Sequence, residues 1–374
     1  MRLPAIPRRF WFTLHSWVGL KLSLFMGFIL LTGTLATLAH EIDWLLTPAM
    51  RVSPVDDDAP RASWGTLAAN AARAQPGWTV ERIGAPIDPW FAARVTISRG
   101  EQTRYVHLHP ATGAVQGTSG FFNVHRFLRN THRHLMLPVK YGVPIVCSLA
   151  LLLAVSLVSS LSIYKRWWRG FFAWPRRDNR RRFWGDLHRL GGVWSLWFVL
   201  LMAVTGVWYL VEELGAEAPR FDDLGRGGVE AAQPFAPDAR RIDALVAAAQ
   251  ARWPSLRIAE VMPPRADDDA LVVNGQADAI LVRPRANAVG VRADSGAVTG
   301  VIEGHRLSLH QRISEAADPL HFGTFGGLPT KLLWFAFGLV LTGLSFSGAV
   351  LYALRVRAAW REDRVPDAAP AYAS

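Results

Sequence analysis

Four stretches of the chain are almost wholly apolar, at residues 17–38, 143–163, 190–211 and 332–354. Each reaches the ~20 residues a helix needs to cross a bilayer, so four transmembrane helices are predicted. Lys21, near one end of the first, can carry its ammonium back to the interface. The two long intervening segments are polar and change period from helix-like to strand-like. In the first, Ser63 is placed to cap a short helix through Ala72, and strand-like runs follow at 79–83, 91–97 and 105–108. In the second, a helix through Ala251 leads to runs at 256–261, 270–273 and 288–292. Both segments close on a turn supplied by glycine, at 111–117 and 294–300.

The pattern therefore occurs twice, and so do particular residues. Phe10-Trp11-Phe12-Thr13-Leu14-His15 and Phe183-Trp184-Gly185-Asp186-Leu187-His188 each lead into an apolar run. Gly19 and Gly192 come four residues after the histidine, and Thr32-Gly33 and Thr205-Gly206 recur at one common later offset. The chain reads as an α-helical membrane protein built by tandem duplication: a span, a small α+β outer domain and a span, then the same again. The expected plan is a terminus at 1–16, spans at 17–40, 141–164, 190–211 and 331–354, outer domains at 41–140 and 212–330, a basic loop at 165–189 and a tail at 355–374. On a helix turning ~100° per residue, the histidine and both glycines of each copy share one face. Such a lane without side chains suits the close approach of a neighbouring helix, or a flat ligand held by the histidine.

Composition agrees, with half the chain apolar and sixteen Trp. A net charge of +11 would suggest nucleic acid in a soluble protein, but the basic residues flank the spans. Arg2, Arg8 and Arg9 precede the first; Lys165, Arg166, Arg169, Arg176, Arg177, Arg180, Arg181 and Arg182 lie between the second and third; Arg355, Arg357, Arg361 and Arg364 follow the fourth. The positive-inside rule puts both termini and the middle loop in the cytoplasm and the α+β domains outside, in a bacterium the periplasm. The expected partner is the bilayer and not nucleic acid. Trp167, Trp168, Trp174 and Trp184 suit its interfacial belt. The first run is longer than the apolar part of a signal peptide and has a mid-chain counterpart, so it is expected to be retained. Cys147, the sole cysteine, can form no internal disulfide. The Ala- and Pro-rich tail after Arg364 reads as disordered.

Histidines gather at the span ends. His15 and His188 are on the inner side; on the outer side are His40, His125, His132 and His134, with His310 and His321 before the fourth span. One thiol leaves no thiolate-ligated cluster, but neutral imidazoles from facing helices can fill both axial positions of a b-type haem, which makes the iron an electron carrier. If the repeat axis runs along the membrane normal, His15 pairs with His188 inside and His134 with His321 outside, giving two haems per chain. His40 and His132 compete with His134 for the outer iron. His15 and His40 are about 37 Å apart along a helix, so Trp194, Trp197 and Trp208 are candidates for bridging the gap. Arg8, Arg9, Arg181 and Arg182 could meet haem propionates inside, and Arg126 and Arg133 outside.

The Leu-His entrance with a later Thr-Gly in the first and third spans, His125-Arg126 before the second, and Leu320-His321-Phe322-Gly323-Thr324-Phe325-Gly326-Gly327 before the fourth together resemble the PepSY-associated transmembrane family. The resemblance covers nearly the whole chain. It implies that the outer domains are PepSY-like, and that the protein is a haem-dependent ferric-siderophore reductase of the bacterial inner membrane. The outward substrate would be a ferric siderophore, reduced to release Fe(II) near Trp44 and Trp90. No Gly-rich nucleotide loop follows a strand, so electrons are expected from quinol or a separate cytoplasmic reductase. Two other readings stand beside this one. A non-redox anchor, sensor or assembly factor would bind a periplasmic protein partner and has no need of matched imidazoles. A siderophore permease would need discontinuous spans around a midplane site, whereas these runs look uninterrupted apart from Pro144.

Overall fold

A computed structural model describes residues 7–21, 23–54, 60–227 and 238–362. Arg2, Arg364 and the tail, on which readings of charge and disorder were placed, lie outside the described residues, as does the side chain of Lys21. In chain order the helices are α1 (Arg8–Lys21), α2 (Ser23–Thr37), α3 (Ala39–Leu46), α4 (Trp64–Ala74), α5 (Val124–His134), α6 (Val139–Ile163), α7 (Arg180–Trp194), α8 (Leu196–Glu213), α9 (Ala239–Arg252), α10 (Leu309–Phe322) and α11 (Gly327–Glu362). The strands are β1 (Thr79–Gly84), β2 (Ala93–Arg99), β3 (Gln102–Leu108), β4 (Val115–Gly120), β5 (Arg257–Met262), β6 (Ala270–Gln276), β7 (Ala288–Arg292) and β8 (Val298–Ile302). The chain divides into two compact units: one of Met1–Ala36, Asn130–Gly215 and Leu332–Ser374, the other of Thr37–Arg129 and Ala216–Lys331.

The first unit is a helical bundle. Three of its helices are long and apolar enough to cross a membrane, and α1 with α2 would make a fourth span. Phe198, Val199, Trp334 and Leu341 are buried together at its centre, and Ile29, Val146 and Leu149 form a second cluster. The apolar run that begins in α7 is divided, which corrects the expectation of uninterrupted spans: α7 ends at Trp194 and α8 begins at Leu196. At the turn between them the buried Ser195 hydroxyl donates to Gly191 O at 2.7 Å, a back-bond that competes with the helix ladder. The ladder nevertheless passes through: Ser195 N–H reaches Gly191 O at 3.0 Å and Val199 N–H reaches Ser195 O at 2.8 Å.

The second unit is a layer of helices on an antiparallel sheet. Here the structure departs from the expectation of two small domains, because the strands form one eight-stranded sheet in the order β4-β3-β2-β1-β5-β6-β7-β8. The seam pairs the equivalent strands β1 and β5, Ile83 opposite Val261 and Gly84 opposite Glu260, and Ala85 N–H adds a bond to Ala259 O at 2.9 Å. The six expected strands are present, and two more, β4 and β8, lie at the sheet edges and begin at Val115 and Val298, inside the stretches expected to be turns. β4 reads Val-Gln-Gly-Thr-Ser-Gly and is largely exposed, so no apolar alternation announced it.

One face of the sheet, with Val95, Ile97, Val106, Leu271, Val273 and Val289, is sealed by Leu67 and Ala71 of α4 and Ile242, Leu245 and Ala249 of α9. Ser63 caps α4 as expected, its Oγ accepting from Thr66 N–H at 3.1 Å, and Asp238 caps α9 in the same way at Arg240 N–H, 3.0 Å. The two helices approach closely at Gly65, where a Cβ would fall 2.0 Å from Ala239 O, and Asp243 of α9 accepts from Gly65 N–H at 2.7 Å.

Candidate functional site

The two copies of the Leu-His motif meet in the helical unit. His15 on α1 and His188 on α7 stand with ring centres 6.3 Å apart and planes inclined by 77°. Each imidazole is held from behind by a serine on the other helix of its own half: His15 Nδ1 lies 3.0 Å from Ser159 Oγ on α6, and His188 Nδ1 lies 2.8 Å from Ser347 Oγ on α11. Both serines are buried. With Nδ1 so engaged, Nε2 is the nitrogen left to face a ligand. At that separation both imidazoles are close enough for a single metal ion between them to be within bonding reach of each. The separation and donor set therefore fit a metal-centred macrocycle held between the two rings.

The glycines divide into two kinds. A Cβ built on Gly19 or Gly192, one turn beyond each histidine, would meet nothing within 4 Å. A Cβ on Gly33 would fall 2.5 Å from His132 Cε1, and one on Gly206 would fall 2.7 Å from Ala150 Cβ. The glycines beside the histidines thus border open space, and those of the Thr-Gly pairs are packing contacts. Asp186, buried two residues before His188, ties the basic loop to α7 by accepting from Arg176 Nε at 2.8 Å and from Arg189 at 2.7 Å.

The outer histidines are arranged differently. His132 Nδ1 is 2.9 Å from Ile29 O, and its ring lies against Gly33. His134 Nδ1 is 2.6 Å from Leu137 O. In the sheet unit His321 stands edge-on to Phe322. His40 and His125 stack at 3.9 Å with planes 20° apart, a contact with no room for a macrocycle between them. Asp43 is buried and accepts from Val124 N–H at 2.9 Å and His125 N–H at 3.1 Å, fixing the start of α5. Burial raises the Asp43 carboxyl above its ordinary range against the pull of those two bonds. Burial first, then the charges of Arg129, Arg94, Arg126 and Lys331, push the His125 imidazole down to about 4. Lys331 and Glu41 form a buried ion pair in the same unit.

Among the arginines considered for propionates, Arg8, Arg9 and Arg181 are exposed, and Arg182 pairs with Asp178 at 2.7 Å. Arg133 is exposed, and Arg126 donates to Tyr105 Oη at 3.3 Å over the Phe121 ring. Trp194 donates to Phe171 O at 2.9 Å, and Trp197 packs edge-on against Trp334 and Phe337 in an aromatic cluster. Trp44 donates to Trp90 O at 2.9 Å, with Arg51 over its ring. Elsewhere in the sheet unit an open groove of about 550 Å³ follows β8, lined by Arg220, Arg252 and Arg306 among others. Ser159 and Ser347 were not legible as site residues, because serines in apolar helices commonly bond their own backbone. The usable signal was that each sits in the second span of its half.

A search of curated proteins finds no match. The family described as PepSY-associated TM region matches residues 12–355, from the first Leu-His motif to the end of the last span. This chain, a membrane protein whose two halves each bring one serine-backed histidine to a common site, belongs to the PepSY-associated transmembrane family.

Proposed function

We propose that this protein is a dihaem b-type reductase of the bacterial inner membrane, passing electrons outward to reduce periplasmic Fe(III)-siderophore and release Fe(II). The reading follows from the resemblance to ferric-siderophore reductases such as the ferrioxamine reductase FoxB. The observation that carries it is the facing pair His15 and His188, 6.3 Å apart with a serine behind each. A b-type haem held there by two imidazoles would supply one-electron transfer. His15 and His188 would hold the inner haem, and His134, His321, His40 and His132 are the candidates for holding the outer one. Arg8, Arg9, Arg181 and Arg182 offer charge to propionates on the inner side, and Arg126 and Arg133 on the outer. In this reading the termini are cytoplasmic, the PepSY-like sheet unit is periplasmic, and quinol or a separate cytoplasmic reductase supplies electrons. The substrate docks by Trp44 and Trp90, and its iron is released because hard oxygen donors hold Fe(III) far more strongly than Fe(II).

The break at Ser195 bears on the permease reading. A transporter's broken helix frees backbone carbonyls for its cargo, whereas both ladder bonds through Ser195 are made. The deciding measurement is the visible spectrum of the detergent-purified protein, oxidised and dithionite-reduced, with a pyridine haemochrome count. Low-spin b-type bands at two haems per chain are expected, with one lost in His15→Ala and in His188→Ala. A protein that stays colourless when produced with ample haem overturns the reading and leaves the non-redox anchor that binds a periplasmic protein.

A further inference from the structure

The serines behind the two inner histidines are in hydrogen-bonding states that determine which imidazole nitrogen is bare. Ser159 Oγ donates its one proton to Ser156 O at 3.1 Å, and Ser347 Oγ donates to Leu344 O at 3.1 Å. A hydroxyl has a single proton. With that proton committed to the backbone, each Oγ can only accept from the imidazole 3.0 Å or 2.8 Å away. That arrangement places the proton of His15 and His188 on Nδ1, where the carbonyls of Ser156 and Leu344, which can only accept, are also partners, and leaves the Nε2 lone pair free. The same arrangement occurs in both halves, on α6 and on α11, and both serines are buried.

From this geometry we infer that Ser159 and Ser347 are positioning residues for the inner iron: they fix the Nε2-ligating tautomer of His15 and His188, and through the Nδ1–H bond they set the reduction potential. The inference rests on the dihaem reading. An imidazole that donates Nδ1–H to a firm acceptor is a more basic ligand at Nε2. A more basic ligand stabilises Fe(III) over Fe(II), so the pair holds the inner haem at a lower potential than the same two histidines would alone. Ser148, Ser160 and Ser162 of α6 also donate to a carbonyl of their own helix, Ser160 to Leu157 O at 2.8 Å, but it is Ser159 that lies against the His15 imidazole.

The test is a redox titration of the detergent-purified holoprotein, followed by optical bands and by low-temperature electron paramagnetic resonance, for Ser159→Ala, Ser347→Ala and the control Ser160→Ala. The expected result is a positive shift of one of the two haem potentials in Ser159→Ala and Ser347→Ala, about threefold to tenfold in the reduced-to-oxidised ratio at fixed ambient potential (59 mV for tenfold, one electron). The low-spin signal of that haem should change as well, while Ser160→Ala and the other haem keep wild-type values. Ser→Thr at either position restores the hydroxyl and should restore the potential; Ser→Val, equal in shape to Thr, should not. If the alanine variants fail to assemble, the Thr and Val pair gives the same comparison. Potentials and signals unchanged in Ser159→Ala and Ser347→Ala, or equal in Thr and Val, overturn the inference while leaving the dihaem reading intact. A wild-type protein without haem, or full haem in His15→Ala, overturns both.

Discussion

His107 sits in β3 with its ring buried and Nε2 2.8 Å from Ser119 Oγ. Burial, and secondarily the charge of Arg94, push its imidazole down to about 4 from an ordinary 6.5. The folded-state value is the lower one, so between the two the unfolded chain binds a proton that the folded chain refuses. The His107 contribution is whole above pH ~6.5 and is lost as pH falls towards ~4, on the order of 3 kcal/mol. His107→Gln should flatten the fall of the thermal midpoint over that window, read by differential scanning fluorimetry in detergent. Glu315 presents the opposite case. Its burial opposes ionisation, but the Arg283 hydrogen bonds and the charges of Arg283 and Arg285 outweigh it and hold the carboxyl below its usual range. Glu315→Gln leaves Arg283 with Asp318 as its remaining carboxylate and should cost about 1–3 kcal/mol, measured by urea unfolding. His15 and His188 were legible at this scale because a repeated histidine in an apolar helix is rare. Ser159 was not, because α6 carries several serines and only packing shows which of them faces α1.

At the scale of elements, the two kinds of glycine predict opposite outcomes. Gly65→Ala places a methyl against the Ala239 backbone, which cannot yield, and should separate α4 from α9 at a cost of about 2 kcal/mol or more; the thermal midpoint would report it. Gly19→Leu and Gly192→Leu enter open space, so folding should be preserved in circular dichroism. Haem content should still fall if a flat cofactor lies along that lane, and full retention in both variants would mean that the lane is not used. The spans, both capped helices and the six interior strands could be read from periodicity because burial imposes a period. The edge strands β4 and β8 could not, since an exposed edge is held by its ladder to one neighbour and imposes no apolar alternation. The break at Ser195 also escaped, because one hydroxyl within an apolar run does not show whether it will bond back to its own helix.

For the whole molecule, the duplication was legible and the joining of the two outer segments was not, because the seam between β1 and β5 rests on two residue pairs that no sequence period marks. The proposed orientation is open to a direct check. With Cys147 replaced by Ala, a cysteine at position 100, in the β2–β3 turn, should react with an impermeant maleimide from the outer face. One at position 178, in the basic loop, should react only after lysis. The seam itself has an evolutionary meaning. It joins equivalent edges of two like sheets, as a twofold homodimer of a half-length chain would. In such an ancestor each chain would own a single imidazole of the inner pair, so the site would exist only while two copies were together in the bilayer. Fusing the halves turns that meeting into an intramolecular one, and occupancy of the site then stops depending on how many copies the membrane contains.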